Sequence, residues 1–300
     1  MSDPAAILSG GKGRKPPSPR ESMSRRNVIV KKTIGYMVLV LMLLVIIAPF
    51  YWMVVTSFKG NLEISNIPPT LFPHHPILTQ YEQAFGVYGF GVYFRNSIIV
   101  SVSATIVVIL FASLASYAIA RLPIRGKAPL MVGLLAISTF PQVAVISPLF
   151  ILLERLGWLN SYQALIIPYV AFNLPFAIWV MRTYFVGIPK ELDEAARVDG
   201  ANLFTTIFRV ILPLATPGLF TGGVFTFVAC WTEFFFALTF NNDTAFRTIP
   251  VGIALFSGQF TIPYGTIFAG STVAVAPIVI LVLIFQKWVV AGLTAGAVKG

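Results

Sequence analysis

Polar groups able to do chemistry are scarce in this sequence: Asp, Glu, Lys and Arg together make up 11% of its 300 residues. Glu233 is the acidic residue set well inside an apolar run, between Trp231-Thr232 and Phe234-Phe235-Phe236. A carboxylate is costly against hydrocarbon, so Glu233 must face protein or water. A structural or gating role beside a polar path fits it better than direct ligand binding, with a position at the outer interface as the alternative. Asn173, between Pro168 and Pro175, has the same need for a protein or water partner; an interhelical hydrogen bond and a place facing the path suit it equally. His74-His75 are adjacent and have no further His or nearby Cys, which argues against a metal site, and Cys230 as the sole cysteine excludes an intrachain disulfide. The chain carries no HExxH, GxSxG or GxxxxGK[ST] and no paired-carboxylate centre, so neither hydrolysis nor nucleotide binding is expected of it.

The charged residues that do cluster lie in 189–213. Pro189 suits a first helical turn, and Glu191, Asp193 and Glu194 favour a helix start. Arg197 and Asp199 follow, and Gly200 separates the helix-forming piece 191–198 from a second at 202–211. Pro213 stands where the next apolar run begins. This spacing predicts a short helix, a bend and a second helix at a membrane surface, leading directly into a span.

The elements around these residues must be membrane helices. Apolar residues make up 57% of the chain, with 26 Phe, 10 Tyr and 5 Trp, more than one soluble core can hide. Hydropathy and breakers place spans at about 35–56, 96–120, 129–152, 163–184, 213–238 and 267–288. Pro141 interrupts the third, with Gln142 beside it to satisfy opened backbone groups, and Pro217, Gly218, Gly222 and Gly223 make the fifth irregular. Ser97, Ser101, Ser103, Ala104, Ala112, Ser113, Ser116 and Ala118 in the second permit close helix contact. Residues 1–32 read as a basic disordered tail, and 33–300 as the membrane domain. With these spans, 17 of the 21 Lys and Arg fall on one side, and only Lys59, Arg95, Arg155 and Arg247 on the other. That asymmetry places both ends in the cytoplasm and sets topology; it does not build a nucleic-acid face, despite a net charge of +10.

Glu194-Ala195-Ala196, then Gly200, then Val210, Leu212 and Pro213 resemble the EAA loop of ABC importer membrane subunits, with Val210 in place of the usual isoleucine. The final residues, 292–300, resemble the ending of MalG-like carbohydrate permeases of that family, and the resemblance runs from about residue 32 to the end. It implies an all-α polytopic membrane protein of six transmembrane helices with the type I ABC importer permease fold, in a bacterial or archaeal cytoplasmic membrane. By the same resemblance the chain is a non-catalytic half of a sugar translocation path, for maltose, trehalose or a related oligosaccharide. Its implied partners are a second homologous permease, two ATP-binding subunits that use ATP and Mg2+, an extracytoplasmic sugar-binding protein and lipid. The chain itself would hold no cofactor. Within the coupling loop 189–211, Glu194, Ala195, Ala196 and Gly200 would dock the ATPase and Glu191, Asp193, Arg197 and Asp199 would orient the contact, while Leu212 and Pro213, directly after it, would close the motif. Both alanines would be small to enter a cleft on the partner. Asn173 and Glu233 would flank the translocation path, and Thr294, Gly296 and Lys299 in the tail 289–300 would touch the ATPase pair. Another solute class, or a secondary transporter working without ATP, are the competing readings.

Overall fold

A computed structural model describes residues 19–256 and 262–295, and for residues 19–27, 29 and 289–295 the backbone alone. The chain divides into two compact units, Met1–Trp52 and Met53–Gly300. The described part of the first is one helix, α1, which runs on as Pro19–Ser57. Its start at Pro19 lies inside the segment expected to lack structure; a continuous run of residues with no glycine or proline from Glu21 to Ile34 lets the helix extend ahead of the apolar stretch. From Tyr36 to Ile47 the large apolar side chains of α1 are all exposed, as suits a surface solvated by hydrocarbon.

Every element of the second unit is helical among the described residues. The principal ones are α2 (Phe90–Arg121), α3 (Lys127–Ser138), α4 (Ile146–Arg155), α5 (Gln163–Gly187), α6 (Glu191–Val198), α7 (Leu203–Leu214), α8 (Thr216–Thr232), α9 (Phe235–Phe240), α10 (Ile249–Ala254) and α11 (Tyr264–Ala295). Four helices, counting the Val30–Ser57 part of α1 with α2, α5 and α11, are long and apolar enough to cross a membrane. Two bent pairs qualify only jointly: Lys127–Ser138 with Gln142–Arg155 at 84°, and α7 with α8 at 81°.

Each bend has a local cause. Pro141 sits in extended backbone with no N–H to give, directly ahead of a short 3-10 turn over Gln142–Val145. It is the hydroxyls of Ser138 and Thr139 that donate to the carbonyls of Leu135 and Ala136 there, at 2.8 and 3.1 Å. The second bend follows a π-turn over Thr206–Ile211 and has Pro213 before it and Pro217 after it.

The expected single span 213–238 is therefore three pieces: the end of α7, then α8, then α9 after a break at Glu233-Phe234. Within α8 the glycines do not produce irregularity. A side chain at Gly218 would meet the Tyr184 ring at 2.7 Å, and one at Gly222 would meet Ile109 at 3.4 Å. These glycines let α8 lie close to α5 and α2, which is how small residues act between membrane helices. The small residues of α2 serve the same end: Ser97, Ser101, Ala104, Ala112, Ser113 and Ser116 are buried, while Ser103 and Ala118 are only half-buried.

The buried residues form three groups along these helices. One joins Val100 and Ala104 of α2 to Leu165 and Tyr169 of α5 and Phe236 and Phe240 of α9. A second joins Val108, Ala112 and Tyr117 of α2 to Ala177, Met181 and Phe185 of α5 and Ile207 and Ile211 of α7. The third gathers Phe90 and Tyr93 with Phe227, Trp231, Ile249 and Phe256. Helix α2 contributes to all three and is the common wall of the unit.

Candidate functional site

Helix α6 is eight residues long, with Glu191, Asp193 and Glu194 in its first turn and Arg197 in its last, charges that suit the two ends of the helix dipole. It stops at Gly200, whose φ of +80° is open to glycine and strained for other residues. Gly200 N donates to Arg197 O at 3.0 Å and Ala201 N to Ala196 O at 2.9 Å, the paired bonds of a Schellman ending. The next helix opens at once: Asn202 Oδ1 accepts from Thr205 N at 2.8 Å and caps α7. The helix, bend and second helix expected from the sequence stand in that order.

The two faces of α6 differ. Asp193 and Ala196, three residues apart and so on one side, are buried at 6% and 7% exposure. Glu191, Glu194, Ala195, Arg197, Asp199 and Gly200 are exposed. Asp193, expected to orient an outside contact, is turned inward in this chain. Its Oδ2 lies 3.0 Å from Arg121 Nε, and its Oδ1 accepts from Tyr117 Oη at 2.8 Å. Arg121 also donates through Nη2 to Ile188 O at 2.8 Å, on the link that leads into α6. Ala196 is likewise buried against this chain, and Ala195 is exposed. At the far end of α7, Leu212 is half-buried and Pro213 exposed.

Asn173 and Glu233 come together through Tyr169. Tyr169 Oη donates to Glu233 Oε2 at 2.6 Å, and Asn173 Nδ2 donates to Tyr169 O at 2.8 Å, with Cys230 Sγ at 3.7 Å. Glu233 also accepts from Phe236 N at 2.8 Å and Ala237 N at 3.2 Å, so it caps α9 across the break in the helix. Three donors on one carboxylate, in a site half-open to its surroundings, describe an anchor rather than a free acid. Thr294 lies in the last turn of α11, where only the backbone is described, and Gly296 and Lys299 lie outside the described residues. Among the described residues no group of three or more His, Cys, Asp or Glu is placed to hold a metal, and His74 sits 3.8 Å from Glu63.

Sequence reasoning missed Tyr117, Arg121, Tyr169 and Asn96. Asn96 is fully buried and donates to the carbonyls of Ala245 at 2.8 Å and Arg247 at 2.9 Å. The signal available was the polarity itself, since a Tyr, Arg or Asn on an apolar helix needs a partner.

Four helices long and apolar enough to cross a membrane, with two bent pairs that qualify jointly, describe a multi-pass membrane protein. Residues 109–295 match the family model described as binding-protein-dependent transport system inner membrane component. The chain belongs to that family. It is 40% identical to the trehalose/maltose transport system permease protein MalG of Thermococcus litoralis, over 92% of this chain and 99% of that protein. It is 42% identical to the sulfoquinovosyl glycerol transport system permease protein SmoH of Agrobacterium fabrum, over 84% and 88%. Among solved structures, a chain of a bacterial ABC transporter involved in the import of the acidic polysaccharide alginate superposes with a TM-score of 0.77 at 20% identity, covering 87% of this chain and 97% of that one. That likeness is one of fold.

Proposed function

We propose that this chain is the membrane permease subunit of an ATP-driven importer for a sugar, fed by an external binding protein. On this reading each bent pair is one span, giving six, with both termini and α6 in the cytoplasm; the support is the 17-to-4 division of Lys and Arg. The observation that carries the coupling role is the division of α6 itself. One face is pinned by Asp193 and Ala196, and the other offers Glu191, Glu194, Ala195 and Arg197. An element fixed on one side and free on the other can be pushed by a partner and pass the push on.

ATP and Mg2+ belong to two ATP-binding partner subunits, and a second homologous permease completes the path, in a bacterial or archaeal cytoplasmic membrane. Tyr169, Asn173 and Glu233, beside a break of the kind that occurs where backbone lines a cavity, flank that path. The sugar assignment is supported by the names of the two relatives, both of which concern sugars or their derivatives. The test is purification of the tagged chain from its native membrane in mild detergent, with mass spectrometry of what stays attached. An ATP-binding subunit, a second permease and a binding protein are expected. A solitary chain that transports trehalose or maltose into liposomes without ATP would make it a secondary transporter instead.

A further inference from the structure

Both ends of α2 are held by buried polar groups. At its last turns Tyr117 and Arg121 grip Asp193 of α6, at 2.8 and 3.0 Å, and Arg121 also holds Ile188 O. Near its start Asn96 donates to Ala245 O and Arg247 O and accepts from Tyr162 Oη at 2.9 Å, while Ser97 Oγ accepts from Ile249 N at 2.9 Å. Between these anchors the helix contains no proline and no break, and at 1.5 Å per residue it spans about 37 Å.

The covalent routes between the same two places are softer. Forward from α6 the chain bends by 81° into α8 and is interrupted again at Glu233-Phe234 before it reaches residues 241–248. Backward from α6 it runs through α5, a continuous helix whose hydrogen-bond ladder lacks the donors of Pro168 and Pro175. Bends and breaks let the two ends of a segment move separately, whereas an unbroken helix anchored at both ends moves as one body.

We propose that α2 is the strut that carries displacement of α6 across the membrane to residues 241–249, through Tyr117, Arg121 and Asp193 at one end and Asn96 and Ser97 at the other. The proposal rests on the docking role of α6 given above. These five are positioning residues: none needs to touch nucleotide or solute, and each fixes α2 to a segment that moves.

The test uses the complete complex in liposomes. Cys230, the sole cysteine, is replaced by serine, and Asn242, exposed beside the outer anchor, by a cysteine bearing a nitroxide. The spectrum of the label is expected to differ between the nucleotide-free and ATP-vanadate states. Arg121→Gln and Asn96→Ala, which cut opposite ends, should each shrink that difference by about half or more while the partner still hydrolyses ATP. Tyr117→Phe, which keeps the ring against Phe185, serves at the inner end if Arg121→Gln does not assemble. A full-sized difference in the variants at both ends overturns the strut, as does a label that never responds in the unsubstituted complex. An unsubstituted chain that holds no ATP-binding partner contradicts the docking reading itself, and shows it before any strut residue is changed.

Discussion

Asp193 and Glu194 are neighbours of the same charge sign with different consequences. Asp193 is buried against Arg121, with the two side chains 8% and 6% exposed, so removing one leaves the other charged and without its partner. Breaking such a pair costs about 3–5 kcal/mol, while an exposed substitution changes stability by less than about 0.5 kcal/mol. Asp193→Ala should therefore lower the thermal midpoint of the purified chain clearly, and Glu194→Ala should leave it where it was. Equal midpoints for the two variants would show that the ion pair contributes nothing. Glu233 makes a similar case by a different route. Glu233→Ala removes the cap of α9 and strands the Tyr169 hydroxyl, at a cost of about 1–2 kcal/mol for the cap; Glu233→Gln, which keeps an acceptor, should lose less in the same melt.

The elements divide into those legible in the sequence and those that were not. Gly200 was legible, because a glycine between two helix-forming runs signals a left-handed turn, and φ is +80° there. Gly200→Ala should cost about 1–2 kcal/mol through the backbone alone, since no atom lies near enough to clash. Hydrogen exchange of residues 195–201 would register it as faster opening, and unchanged protection would contradict the assigned ending. Pro141 was legible as a break, because a missing donor acts locally. The packing role of the α8 glycines was not, since it depends on Tyr184, on a helix separated from α8 by the whole of α6 and α7. Gly218→Val should destabilise the chain, and Tyr184→Ala in the same molecule should recover much of the loss; no recovery would place the clash elsewhere. Asp193 likewise reads as part of an acidic helix start, and nothing local in the sequence ties it to Arg121. Only the fold brings Tyr117 and Asp193, 76 positions apart, to one point. The break at Glu233 was missed because the aromatic run around it reads as one continuous apolar span.

The whole molecule is a membrane permease of its family, and the proposed docking face on α6 is where an ATP-binding partner would act on it. The family match supplies the class of protein, and the geometry of α6 and α2 supplies a way to pass motion through it. Residues 57–78 have their own pH signature. His74 N–H, donating to Glu63, holds that carboxyl below its ordinary value. Its contribution to the order of residues 57–78 is thus present above the ordinary Glu range and lost as pH falls through the lowered value. Limited proteolysis of that segment should accelerate only under strongly acid conditions, and Glu63→Gln should remove the pH dependence. The central claim is that the exposed face of α6 meets an ATP-binding subunit. The most direct measurement places a photo-crosslinking amino acid at Ala195 in the assembled complex, with Asn242 as the control at the opposite end. A covalent adduct with the ATP-binding subunit is expected from position 195 and none from 242. An adduct from 242, or none from 195 in a complex that still hydrolyses ATP, would contradict that claim.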